Sequence, residues 1–110
     1  MPIQTAQQRE NLAVAYGAAA TFASAHSASP GATGANELAV TRKAVTWAPG
    51  TVDGTITATV TLDIPTGVTV GGIGLWTAVT GGTYLDGGTV TSQAYSSAGT
   101  YTVTFTFTQS

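Results

Sequence analysis

Two stretches of the chain alternate strictly between threonine and an apolar residue: Thr55-Ile56-Thr57-Ala58-Thr59-Val60-Thr61-Leu62 and Tyr101-Thr102-Val103-Thr104-Phe105-Thr106-Phe107-Thr108. Successive side chains of an extended backbone point to opposite faces, so each run predicts a half-buried strand with an apolar row inward and a threonine row outward. Threonine suits the wet face because its β-branch favours strand geometry and its hydroxyl tolerates water without adding charge. Ile56, Val60, Leu62, Val103 and Phe105 are the candidate core.

The rest of the chain carries weaker periodicity and clear punctuation. Thr5 with Gln8 three positions later fits a capping box and Gly17 fits a C-terminal stop, which predicts a helix from about Ala6 to Tyr16. Its apolar stripe of Ala6, Leu12, Ala13 and Tyr16 suits docking on a sheet. Ala18 to Ala25 reads as a strand, Ser27 to Asn36 as a loop, and Leu38 to Trp47 as a second strand. Ile64-Pro65-Thr66-Gly67 ends the Thr55 strand. Gly71, Gly72 and Gly74 then lie inside the strand-like segment Val68 to Ala78. Such glycines mark a bulge or the close approach of a backbone or a large ring, with Trp47 and Trp76 as the expected rings. Turns are expected at Gly81-Gly82, at Asp86-Gly87-Gly88 and at Ser96 to Gly99. Turn signals at this spacing predict a mainly β chain, a β-sandwich or jelly roll with a short N-terminal helix. The organisation expected is a helical segment over 1–17 followed by one sandwich domain over 18–110.

Composition narrows the function. Charged residues make up 7% of the 110 positions, against roughly 25% in an average soluble domain. They are Arg9, Glu10, Glu37, Arg42, Lys43, Asp53, Asp63 and Asp86. A net charge of −2 with three basic residues gives no electrostatic footprint for a phosphate backbone, so no nucleic-acid partner is expected. The absence of cysteine removes disulfides and thiolate chemistry. Leu12 to Ala25 is alanine-rich and interrupted, too weakly apolar for a membrane span or a secretion signal. So little charge gives little self-repulsion, which favours association with copies of the chain, expected as a trimer, or with other proteins.

His26 is the only histidine, and Ser24, Ser27 and Ser29 lie near it. A serine–histidine–acid set with Asp53, Asp63 or Asp86 exists on paper, but no nucleophile-elbow pattern accompanies it. The expectation is that His26 ends a strand and bonds the following turn, with no enzyme activity and no cofactor. The three aspartates sit beside turns without an Asp-x-Asp cluster, so no metal site is expected. Glu37, Arg42 and Lys43 read either as solvated charges or as pairing between subunits. Leu12, Tyr16, Glu37 and Arg42 are the interface candidates. Trp76, Tyr84 and Tyr95 are candidates for stacking on a carbohydrate ring, although aromatics at strand spacing are most often core.

Three motifs in order carry a resemblance. They are Phe22 through His26 with Pro30-Gly31 and Thr33-Gly34-Ala35-Asn36-Glu37; Arg42-Lys43-Ala44-Val45-Thr46-Trp47; and Ile64 to Val70 followed by Gly74-Leu75-Trp76 and Gly81-Gly82-Thr83-Tyr84-Leu85. In this the chain resembles small structural proteins of tailed bacteriophages, labelled tail fibre or minor tail proteins. It departs from them at Ser27-Ala28-Ser29, where the family usually shows threonine and an acidic residue before Pro-Gly. The resemblance implies a virion component, on tail or capsid, assembled in the host cytoplasm and partnered by other virion proteins. It brings no catalytic residues. The alternative it leaves is a module of the virion that binds a host-surface receptor or glycan.

Overall fold

A computed structural model describes residues 4–48 and 50–109 of the chain. In chain order these form α1 (Ala6–Ala19), β1 (Phe22–His26), β2 (Lys43–Ala44), β3 (Thr55–Ile64), β4 (Val68–Trp76), β5 (Tyr84–Tyr95) and β6 (Gly99–Thr108). All pairings are antiparallel and give two sheets, ordered β2-β1-β4-β5 and β3-β6. The described chain is mainly β with one short N-terminal helix, as the alternation predicts.

The threonine runs pair with each other. Thr55, Thr57, Thr59 and Thr61 of β3 oppose Thr108, Thr106, Thr104 and Thr102 of β6, while Ile56, Ala58, Val60 and Leu62 oppose Phe107, Phe105, Val103 and Tyr101. Three of the threonine pairs join hydroxyl to hydroxyl, at 3.1 Å for Thr55 and Thr108, 3.3 Å for Thr59 and Thr104, and 3.0 Å for Thr61 and Thr102. Such cross-strand pairs contribute roughly 0.2–1 kcal/mol each. The inner row of β3 packs with Ala23 and Ala25 of β1 and Val70, Ile73 and Leu75 of β4 in one buried core. The β6 row is only half-buried, Val103 and Phe105 included, because Val103, Phe105 and Phe107 front a cleft toward β5.

Five expectations need correction. Thr5 does cap α1, its Oγ1 accepting from Gln8 N at 3.3 Å, but the helix runs through Gly17 to Ala19, so the strand expected over Ala18 to Ala25 begins only at Phe22. A Cβ at Gly17 would lie 3.0 Å from both Ile56 Cδ1 and Trp47 Cγ, so this glycine lets the helix approach the sheet instead of stopping it. The Trp47 indole N–H then donates to Ala20 O at 2.8 Å, closing the helix end. Leu12, assigned to the buried stripe, is 39% exposed; the helix buries Ala13 and Glu10. Glu10 is inward because its Oε1 accepts from Gly54 N (3.0 Å) and Asp53 N (3.4 Å) and so ties the turn before β3 to the helix.

The segment Leu38 to Trp47 is a strand only at Lys43–Ala44. It crosses between layers: Glu37 bridges to His26, Ala44 pairs with Phe22, and Ala48 bridges to Thr57 of the other sheet, so no continuous ladder forms. Asp86-Gly87-Gly88 is not a turn but part of β5, and its glycines serve close packing, as described below. The turns at Gly67, Gly81 and Gly82 do form, all at positive φ. The turn expected at Ala48-Pro49-Gly50 includes Pro49, which lies outside the described residues.

Candidate functional site

Alternation along β1 sends Ala23 and Ala25 into the core and Ser24 and His26 to the other face of the sheet. That face would meet water, yet both side chains are fully buried. The cover is the loop 27–42. It turns at Pro30, whose carbonyl accepts from Gly34 N and Ala35 N at 3.0 Å each, and at Asn36, which adopts a left-handed φ of 64°. The Asn36 side chain donates to Ser29 O at 3.0 Å, and the loop returns along β1 through Ser27 N to Asn36 O and Leu38 N to Ala25 O, each 2.9 Å.

Beneath it a polar relay is complete. Trp76 Nε1 donates to Ser24 Oγ at 2.8 Å, Ser24 Oγ lies 2.6 Å from His26 Nε2, and His26 Nδ1 lies 2.7 Å from Ala35 O. An indole N–H only donates and a carbonyl only accepts. Ser24 therefore accepts from Trp76 and gives its own proton to His26 Nε2, leaving Nδ1–H for Ala35 O. One neutral tautomer of His26 satisfies every partner. The β1 side chains and the loop both press on β4: a Cβ at Gly74 would lie 2.6 Å from His26 Nε2 and 2.7 Å from Ser24 Oγ, while one at Gly72 would strike Ala28 O of the loop. This explains the strand glycines: a backbone approaches, as expected, and the closest ring is that of His26.

Arg42 fastens the other end of the loop. Its Nε and Nη2 donate to Glu37 Oε2 (2.8 Å) and Oε1 (2.9 Å), and its Nη1 donates to Ala78 O (3.0 Å) and Gly81 O (2.8 Å). Its Cζ sits 3.7 Å from the Trp76 ring centroid. The Arg42 side chain is 8% exposed and that of Glu37 27%, so the guanidinium is committed within the chain while the carboxylate keeps a solvent-facing side. Lys43 instead joins Asp63 at 2.9 Å on the surface.

The other sequence candidates fall in four places. Trp76 is covered by Arg42 on its face and meets Tyr84 edge-on at 5.3 Å; Tyr84 donates to Gly31 O at 3.0 Å and Tyr95 to Thr100 O at 2.8 Å. Tyr16 stacks on Phe107 with centroids 3.9 Å apart and donates to Asp86 Oδ2 at 2.7 Å. Burial first, then the hydrogen bond and charge of Asp86, pushes the Tyr16 phenol far above its ordinary value. Leu12 stands exposed on α1, away from any of these clusters.

Tyr16 also closes one end of an apolar cleft of about 250 Å³ between β5 and β6, lined further by Trp47, Leu75, Val90, Val103 and Phe105. The acids are dispersed. Asp53 accepts from Thr55 N (2.9 Å), Asp63 holds Lys43 and Asp86 holds Tyr16, so the position a triad acid would take beside His26 Nδ1 belongs to Ala35 O. Among the described residues no three of His, Asp and Glu group in a way that could hold a metal ion, and no described helix is long and apolar enough to cross a membrane.

Compared with known protein families, curated proteins and solved structures, the chain matches none. Sequence reasoning named Ser24 with Ser27 and Ser29 near His26 but did not single it out as the buried structural partner of the ring. The signal was present: positions i and i+2 of a strand share a face, and Gly74 pairs directly across from Ser24. It also missed Glu10, for which a carboxylate on an otherwise weakly amphipathic helix gave no warning of burial.

Proposed function

We propose that the chain is a structural component of a tailed-bacteriophage virion, a tail-fibre or minor-tail component or a capsid decoration, that works by packing against other virion proteins and against copies of itself. The observation that carries this reading is the convergence of the three motifs on one clamp. His26, Pro30-Gly31 and Asn36-Glu37 come from the first, Arg42 from the second, and Gly74, Trp76, Gly81 and Tyr84 from the third. All of them meet where loop 27–42 is fastened to the sheet. Motifs scattered over the chain thus belong to a single structural device, which is what a resemblance in order leads one to look for. The departure at Ser27-Ala28-Ser29 fits the same device: Ser29 Oγ accepts from Gly31 N at 3.2 Å, the bond a carboxylate before Pro-Gly would accept.

The polar inventory also supports packing. His26, Glu10, Arg42 and Tyr16 are all committed to partners within the chain. Trp76, Tyr84 and Tyr95 are likewise engaged, which favours packing over the glycan-binding alternative. The test is the protein content of purified particles carrying this chain. Hundreds of copies per particle would indicate a capsid decoration and a handful a tail component; absence from the particle would overturn the reading.

A further inference from the structure

β6 is an edge strand that nothing guards. Among the described residues it pairs only with β3, and its second edge is open. The corresponding edge of β3 is interrupted by the Ala48 bridge to Thr57. Edge strands are ordinarily protected by lysine, proline or a bulge. From Gly99 to Thr108 the strand carries no charge and no proline, and its ten positions pair with β3 without a register shift. β5, at the same open side, carries Asp86 and adjoins two register shifts.

The apolar row of β6 is also incompletely covered. Ile56, Ala58, Val60 and Leu62 of β3 are buried, while their direct partners Phe107, Phe105, Val103 and Tyr101 are all half-buried, and the first three front the cleft toward β5. The missing cover lies on the β6 side.

We propose that this open side is a self-association surface, with β6 pairing antiparallel to β6 of a second copy of the chain about a two-fold axis at Thr104. The strand is complementary to itself in that register. Thr104 faces its own copy, Thr102 faces Thr106, Val103 faces Phe105 and Tyr101 faces Phe107, so every apolar residue meets an apolar one and every threonine a threonine. Centring on Val103 would set Phe107 against Gly99, and a centre between two residues would set threonine against the apolar row. An isologous contact of this kind closes as a dimer and joins the two β3-β6 sheets into one of four strands.

Charge and area both favour a second copy as occupant. Neither strand brings a charge to the contact, so self-pairing meets no repulsion there. A strand of ten residues is roughly 34 Å long, and the ends of two stacked sheets are about 20 Å across, so each copy covers on the order of 700 Å². Stable complexes cover about 800 Å² per partner, so the whole open side, β5 included, is needed for a lasting dimer. The inference deepens the packing reading by naming its surface, but it is decided in solution on the purified chain, whereas the virion assignment is decided by particle composition.

The experiment is sedimentation equilibrium of the full chain over a range of concentrations, with circular dichroism to check folding. Thr102, Thr104 and Thr106 are exposed and oppose Thr61, Thr59 and Thr57 within the chain, so lysine there has room. The wild type is expected to dimerise. T102K/T106K sets like charges across the two-fold twice and is expected to weaken the dimer roughly tenfold, with T104K weakening it several-fold. T102K/T106E places each introduced charge opposite its complement and is expected to restore dimerisation. A monomer at every concentration, a trimer, a dimer indifferent to T104K and T102K/T106K, or equal weakening by both double variants would each overturn the proposal.

Discussion

Replacing His26 by alanine probes whether the clamp is held by its polar relay or by the loop's own turns. The ring is fully buried and makes hydrogen bonds of 2.6 Å to Ser24 and 2.7 Å to Ala35. Its removal leaves the Ser24 hydroxyl without its acceptor inside a sealed space, at about 1–3 kcal/mol, and frees the Ala35 carbonyl, which is near enough to solvent for water to replace most of its bond. The vacated ring volume adds a cavity cost, for a sum of about 3–5 kcal/mol. A domain of this size is stable by roughly 5–15 kcal/mol, so the variant is expected to fold with its melting temperature lowered by about 12–20 °C. Ser24→Ala removes the same link from the other side and strands the Trp76 and His26 nitrogens. The double variant S24A/H26A is therefore expected to cost at least ~1 kcal/mol less than the sum of the singles, since coupled sites are not additive. Urea unfolding measures all three, and amide exchange at Ser27 and Leu38 reports whether the loop opens first. A cost below about 1 kcal/mol for His26→Ala, or additivity within ~0.5 kcal/mol, would refute the relay as the fastening.

Two further outcomes follow from the same contacts. Arg42→Lys keeps the charge but loses the two-pronged grip on Glu37 and the flat stacking on Trp76; it is expected to cost about 2–3 kcal/mol in urea unfolding, whereas Lys43→Ala, which breaks the exposed pair with Asp63, is expected to stay within ~0.5 kcal/mol. For Tyr16, the folded chain holds the phenol above its ordinary value of 10.0, so its contribution is fully present below pH 10 and is lost as pH rises toward the folded value. Stability measured against pH is expected to decline above about pH 10 and to decline less in Tyr16→Phe, and an unchanged slope in that variant would remove Tyr16 from the account.

The strands that were legible in the sequence are those whose two faces meet different surroundings. In β3 and β6 one face meets a core and the other water, so threonine and apolar residues alternate and the register of Ile56 to Leu62 can be read directly. β1 and β4 are covered on both faces, and alternation there carries no signal: Ser24 and His26 are polar yet buried, and Gly72 and Gly74 look like breaks although they lie within the strand. The helix end was misread for a related reason. Gly17 is consistent with either a stop or a close approach, and only Trp47 and Ile56, distant in sequence, decide between them. Asp86-Gly87-Gly88 has the composition of a turn but is extended, because the Gly87 position must admit Tyr84 and Pro30.

The outer face of β1 and β4 and the side of the molecule formed by β5 and β6 are treated differently. Over β1 and β4 the chain uses the loop 27–42, with Arg42, Glu37, Asn36 and His26, to bury a face that two packed sheets would have left wet. At β5 and β6 the described residues supply less cover: Phe105 and Phe107 stay half-buried, with Trp47 beside Phe105 and Tyr16 stacked on Phe107 and bonded to Asp86. A chain that protects one surface with much of its scarce polar inventory and leaves the other with Asp86 as its charge concentrates its half-covered apolar area at one place. Such area is favourable to bury and costs little to desolvate, so the self-association proposed above uses the side that the residue choices closing the clamp leave uncovered.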